Sequence, residues 1–102
     1  MMKESDWKKF KTVKALALDR FCANALAAFE EALHNSDMTN HQRYLHLYRL
    51  VDETDERLGS IFNGHSRSRA LLQLLQMRNE GLVEDHELEG MSDEFLESTR
   101  PR

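Results

Sequence analysis

Residues 5–33 read SDWKKFKTVKALALDRFCANALAAFEEAL, with no proline and no glycine among them. Proline removes a backbone donor and clashes inside a helix, and glycine costs roughly 1 kcal/mol there relative to alanine. The same freedom from breakers covers residues 1–58: the single proline is Pro101, and the four glycines all lie between 59 and 90. Within the quoted stretch Trp7, Phe10, Val13, Ala17, Phe21, Ala25, Ala28 and Ala32 recur at spacings of three and four. Leu18, Cys22, Leu26, Phe29 and Leu33 widen that stripe, which predicts an amphipathic helix from about Ser5 or Asp6 to about Leu33. Such a helix is about 40 Å long, whereas a compact domain of this size has a radius of gyration near about 13 Å. A straight helix of that length overhangs its own domain, and a second copy of the chain is expected to cover the overhang. Seven alanines between 15 and 32 would let a neighbouring helix approach closely.

Working outward, His34-Asn35-Ser36-Asp37-Met38-Thr39 is a polar connection, and Thr39 with Gln42 fits a capping box that opens a second helix. That helix carries Tyr44, Leu47, Tyr48, Val51, Leu58, Ile61 and Phe62 on one face, interrupted by a polar layer at 54 and 55. The segment from Asn63 to Arg69 has no apolar residue, and Asn63-Gly64 signals a turn. A loop capped by Ser66 is favoured here over one continuous helix from about 40 to 80. A third helix, about 67–80, packs Ala70, Leu71, Leu74, Leu75 and Met77, and Gly81-Leu82 supplies a left-handed stop with its apolar contact. Two short helical turns follow, about 84–89 and 93–98, the second capped by Ser92 and anchored by Phe95 and Leu96. The chain is therefore expected to be all-α, in one domain over 1–102 with 1–4 and 99–102 frayed. Its long N-terminal helix packs antiparallel on a second helix, with a third helix and a short acidic C-terminal helical segment completing a small bundle.

Composition narrows the class of function. At 102 residues the core is modest, and self-association is a common remedy. Charge is uneven: +3 over residues 1–22, −1 over 23–78 and −6 over 79–102, which together make the net −4. The basic first helix and the acidic tail should attract, modestly and with salt sensitivity. The lone cysteine, Cys22, sits among Phe21, Ala23 and Leu26 and reads as a small buried hydrophobe of a reducing compartment. The N-terminus runs straight into charges, and the longest apolar run is Ala25-Leu26-Ala27-Ala28-Phe29. Neither an export signal nor a membrane span is indicated, so a cytoplasmic protein is expected.

No residue set carries an enzyme signature. Cys22 has no histidine within a turn to act as a base, and Gly59 and Gly64 lack the neighbours of a phosphate loop. Glu31-Ala32-Leu33-His34 has the Glu-x-x-His spacing of carboxylate-bridged metal bundles, but it occurs once where two are needed. His34 is better placed at the end of the first helix, where a histidine favourably meets the negative end of the dipole. Metal or small-ligand binding through Glu31 and His34 is thus a minor alternative, and no cofactor is expected. Lys8, Lys9, Lys11 and Lys14 beside Trp7 and Phe10 could meet an acidic partner or membrane, though a solvated face is the simpler reading. His65-Ser66-Arg67-Ser68-Arg69 with Arg78 could contact phosphates, which makes a nucleic-acid-associated regulator the first rival. The patch most like an interface is Arg43, Tyr44, Tyr48 and Arg49, since Tyr and Arg are enriched where proteins meet. An ordinary core edge with snorkelling arginines would look the same.

Four segments carry a resemblance: Trp7-Lys8-Lys9-Phe10, Arg43-Tyr44-Leu45-His46-Leu47-Tyr48-Arg49-Leu50, Arg69-Ala70-Leu71-Leu72-Gln73-Leu74-Leu75-Gln76-Met77-Arg78, and Gly81-Leu82. Over most of residues 5–90 the chain resembles a family of small uncharacterised all-helical bacterial proteins. The resemblance implies a helical fold and a bacterial source, and no established activity. Its usual lack of the Asn63-Gly64 pair implies a continuous 40–80 helix, against the loop that the residues here favour. The expectation from all of this is a non-enzymatic adaptor or small regulator, forming a homodimer through the aromatic and alanine-rich faces of its long helices.

Overall fold

The computed structural model describes residues 2–102; the fraying expected of residue 1 falls outside them. Four α-helices follow one another: α1 (Glu4–Leu33), α2 (Asn40–Phe62), α3 (Arg67–Asn79) and α4 (Asp93–Ser98), with a single 3₁₀ turn at Asp85–Leu88 before α4. α1 and α2 form an antiparallel hairpin, and the described residues contain no strand. At the tip, the Thr39 hydroxyl accepts from the Gln42 amide at 3.2 Å while the Gln42 side chain accepts from the Thr39 amide at 2.9 Å, the expected capping box. The helix breaks at residues 63–66, so the loop reading holds over the continuous helix. Ser66 takes the N-cap position of α3 without giving its hydroxyl to the cap; that oxygen lies 3.1 Å from the Ser68 hydroxyl instead.

The shape is uneven, 53 × 24 × 22 Å with a radius of gyration of 16.6 Å. One end is a packed head. There α1 contributes Phe10, Val13, Ala17 and Phe21, spaced as one helical stripe, and these meet Ile61 and Phe62, then Ala70, Leu74 and Met77 of α3. Leu82, Leu88, Met91 and Phe95 close the core from the C-terminal side. Gly81 adopts φ +71°; its amide donates to the Arg78 carbonyl and the Leu82 amide to the Met77 carbonyl, which turns the chain and buries Leu82. The other end is an arm made of the α1–α2 hairpin alone.

Polar contacts lock the tail to the head. Asp6 lies on the same stripe as Phe10 and is 2% exposed, with its carboxylate accepting from the Ser92 amide at 2.8 Å and the Ser92 hydroxyl at 2.6 Å. The Ser92 hydroxyl in turn accepts from the Phe95 amide, capping α4. Arg20 holds Glu87 through both carboxylate oxygens and also donates to the Leu82 carbonyl. Those guanidinium bonds, helped by the Glu84 amide, lower the Glu87 carboxyl from 4.5 to about 2. The basic first helix and acidic tail thus attract through one defined ion pair.

Both fraying expectations need correction where the structure describes them. Thr99 is fully buried, and its hydroxyl donates to the Phe95 carbonyl and accepts from Arg78 at 2.9 Å. Arg100, Pro101 and Arg102 are exposed, with the Arg102 amide donating to the Asn79 side chain at 2.8 Å. At the start, Met2 packs against the core and Glu4 already opens α1. Cys22, expected to be buried, is half-buried on the surface of the arm.

Candidate interaction surfaces

Along the arm, each helix carries two apolar stripes, and only one of each is used. On α2 the residues turned toward α1 are Arg43, Leu47, Leu50, Thr54 and Leu58, all half-buried, while Ile61 is buried in the head. The neighbouring stripe is Tyr44, Tyr48, Val51 and Asp55, all exposed; Tyr44 keeps 67% and Tyr48 66% of its surface. The single apolar face assigned to this helix from its sequence is therefore two faces about one residue apart. On α1, Ala25 and Ala28 meet Leu50 and Thr54 across a narrow concavity, and Ala32 is buried. The alanine-rich face is taken up within the arm, where small side chains let the helices close together. On the stripe beside it, Leu26 and Leu33 are exposed, Leu26 at 64%, while Cys22 and Phe29 are half-buried.

These two open stripes lie on the same side of the hairpin. Cys22, Leu26 and Phe29 share a shallow groove with Val51, Asp55 and Leu58, and Asp55 is its sole charged residue among the described ones. Two helices side by side span about 20 Å, and the stripes run about 20 Å along them.

The arginines grouped with these tyrosines in the sequence serve elsewhere. Arg43 donates to the Asn35 carbonyl and to the Asn40 side chain, bracing the tip. Arg49 shares a separate concavity with Met38, Gln42, Leu45 and His46. Arg78 donates to the Leu96 carbonyl and the Thr99 hydroxyl, both at 2.9 Å, and so anchors the tail rather than joining Arg67 and Arg69. Glu31 and His34 are both exposed, and no three His, Cys, Asp or Glu side chains among the described residues come together as a metal site.

A second surface forms at the head, around Trp7. Its ring stacks on Phe10 at 5.8 Å and meets His65 at 5.1 Å, with Lys11 and Arg67 set over it at 5.7 and 5.5 Å. Lys14 donates to the Gly64 carbonyl at 2.7 Å, and Arg69 folds against the same loop. Burial, and then the charge of Arg69, pull the Lys14 ammonium below its usual 10.5. Arg67 is offset by an ion pair to Glu4. The sequence reading kept Lys11 and Lys14 apart from Arg67 and Arg69; the 63–66 turn brings the two groups together.

Comparison with family models, with curated proteins and with solved structures gives no match, and so nothing in them bears on the resemblance carried by the helix patterns. No helix among the described residues is long and apolar enough to cross a membrane.

Proposed function

We propose that this chain is a non-enzymatic interaction protein of a bacterial cytoplasm, an adaptor or small regulator that self-associates through its arm. The observation that carries this reading is the open stripe shared by both arm helices, led by Leu26, Tyr44 and Tyr48. Burying such side chains is worth about 1.5–3 kcal/mol each, and aromatic residues in desolvated positions dominate interface energetics. Light scattering on a size-exclusion column tests it. The expected mass at micromolar concentration is twice the 12.0 kDa of the chain. Leu26→Glu together with Tyr48→Glu should give a monomer with unchanged helical circular dichroism, because both positions face solvent in one copy. A wild-type chain that stays monomeric throughout that range defeats the proposal.

One observation favours a second reading, binding of nucleic acid at the head. Lys11, Lys14, Arg67 and Arg69 converge near Trp7, and phosphate binding draws on such clustering. Arg78 has no part in that version. A salt titration against duplex DNA decides it, since absence of binding at low salt, where the phosphate contribution is strongest, removes it.

A further inference from the structure

The open stripes have a symmetry of their own. Cys22, Leu26, Phe29 and Leu33 are spaced four, three and four residues apart, so the stripe reads the same in both directions about a centre between Ala27 and Ala28. Tyr44, Tyr48, Val51 and Asp55 repeat that spacing about a centre between Arg49 and Leu50. Ala28 and Leu50 line one concavity, so the two centres lie at nearly the same height on the arm. A two-fold interface presents one patch to itself, and a stripe with this spacing meets its own reversed copy residue for residue.

We propose that two copies pair arm to arm in antiparallel orientation, as a four-helix bundle with the heads at opposite ends. The inference rests on the self-association reading and specifies its geometry. The two-fold axis crosses the arm from α1 to α2, laying α1 against α1 of the second copy and α2 against its α2. Cys22 then meets the second copy's Leu33, Leu26 its Phe29, and Tyr48 its Val51. Asp55 meets its Tyr44, whose phenol hydroxyl donates to the carboxylate.

That last pair decides the orientation. In the alternative, with the axis running along the arm and the tips side by side, α2 lies on the second copy's α1. Asp55 is level with Cys22 in the shared groove, so it would then face the second copy's Cys22 and Leu26, which offer a carboxylate no adequate donor. Covering an ionised carboxylate without a hydrogen-bond partner is heavily penalised. In the antiparallel arrangement the groove's charged residue and an exposed phenol satisfy each other at both ends, and the bonds are charge-assisted.

Native Cys22 makes a built-in reporter. A disulfide needs Cα atoms about 4.4–6.8 Å apart, while antiparallel Cys22 residues lie about 16 Å apart along the bundle. Leu33→Cys is the test, a change at an exposed tip position that leaves the head untouched. Under oxidised glutathione, L33C should form a covalent dimer through Cys22 and the new thiol, and wild type and C22S/L33C should not. Tyr44→Phe should weaken dimerisation about tenfold, the loss expected for a hydrogen bond to a charged group. Small-angle scattering should give a longest dimension of about 80 Å, from a 53 Å protomer overlapping only along its arm. A dimeric mass with L33C unlinked and Y44F neutral overturns the orientation alone. A monomer at every concentration overturns the self-association beneath it.

Discussion

In the head α1 meets α2, α3 and the tail; along the arm, past the concavity it shares with Glu80 and Leu82, it packs on α2. The contrast falls within a single unbroken helix of thirty residues. Up to Phe21 its apolar stripe is buried to between 0 and 5% exposure; beyond Phe21 that stripe continues through Ala25, Ala28 and Ala32 against α2, while the neighbouring one through Leu26 and Leu33 is open. Helix propensity therefore does not distinguish the two regions; the number of covering elements does. In the head, side-chain burial supports both the helix and the fold, and most helix stability in proteins comes from such packing. On the arm the helix persists with half of its potential packing unmade.

The comparison breaks most sharply under paired leucine truncations. Leu74→Ala, at a fully buried head position, should cost about 3–5 kcal/mol in urea unfolding of dilute protein. Leu26→Ala should stay within about 0.5 kcal/mol under the same conditions, because one copy leaves it in water. Equal losses would mean that the arm is covered in dilute solution or that the head is loosely packed. Next in size is Asp6→Ala, which strips the Ser92 amide and hydroxyl of their acceptor. A loss of about 2 kcal/mol is expected, with faster amide hydrogen exchange over 92–99 and no change on the arm.

Gly64→Ala probes the joint between α2 and α3. Gly64 has φ +83°, and an added Cβ would lie 2.9 Å from Arg69 Nη1, so about 1–2 kcal/mol of destabilisation is expected by thermal unfolding. The finest probe is acid. The Glu87 carboxyl has a folded value of about 2, below its unfolded 4.5, so its contribution is full above about pH 4.5 and fades as pH falls toward 2. Glu87→Gln should therefore flatten that part of the stability–pH curve, read by urea titration at successive pH values. An unchanged slope would show that the Arg20 pair does not hold the tail.

Most of the head and the existence of the arm were legible in the sequence. Helix positions, the Thr39–Gln42 box, the Asn63-Gly64 break and the Gly81 stop are local signals, and each is written within a few residues. The overhang followed from length alone. Asp6 was illegible because its partner lies 86 residues away and a polar residue at a helix start reads as solvated. Thr99 misled for a similar reason: a terminus frays by default, and its burial depends on Arg78 from another helix. Tyr44 and Tyr48 were singled out as candidates, but their surroundings were misjudged. Tyr44-Tyr48-Val51 and Arg43-Leu47-Leu50 are offset by one residue, about 100° around the helix, and which of the two faces α1 is a tertiary matter. A split of the apolar positions into two such interleaved series was the available sign of a second, exposed apolar face.

The Asp6–Ser92 bond also dictates an order of events during synthesis. The arm's contacts are local in sequence, and its hairpin can close once residue 62 is free of the ribosome. The head needs its first helical turn and α4 at once, a loop closure of 86 residues. At about 5–20 residues per second the nascent chain spends a second or more with a formed hairpin and an unfinished head. For that interval the exposed stripe led by Leu26, Tyr44 and Tyr48 precedes the head's core, and the self-association proposed above would then have its surface before the domain is complete.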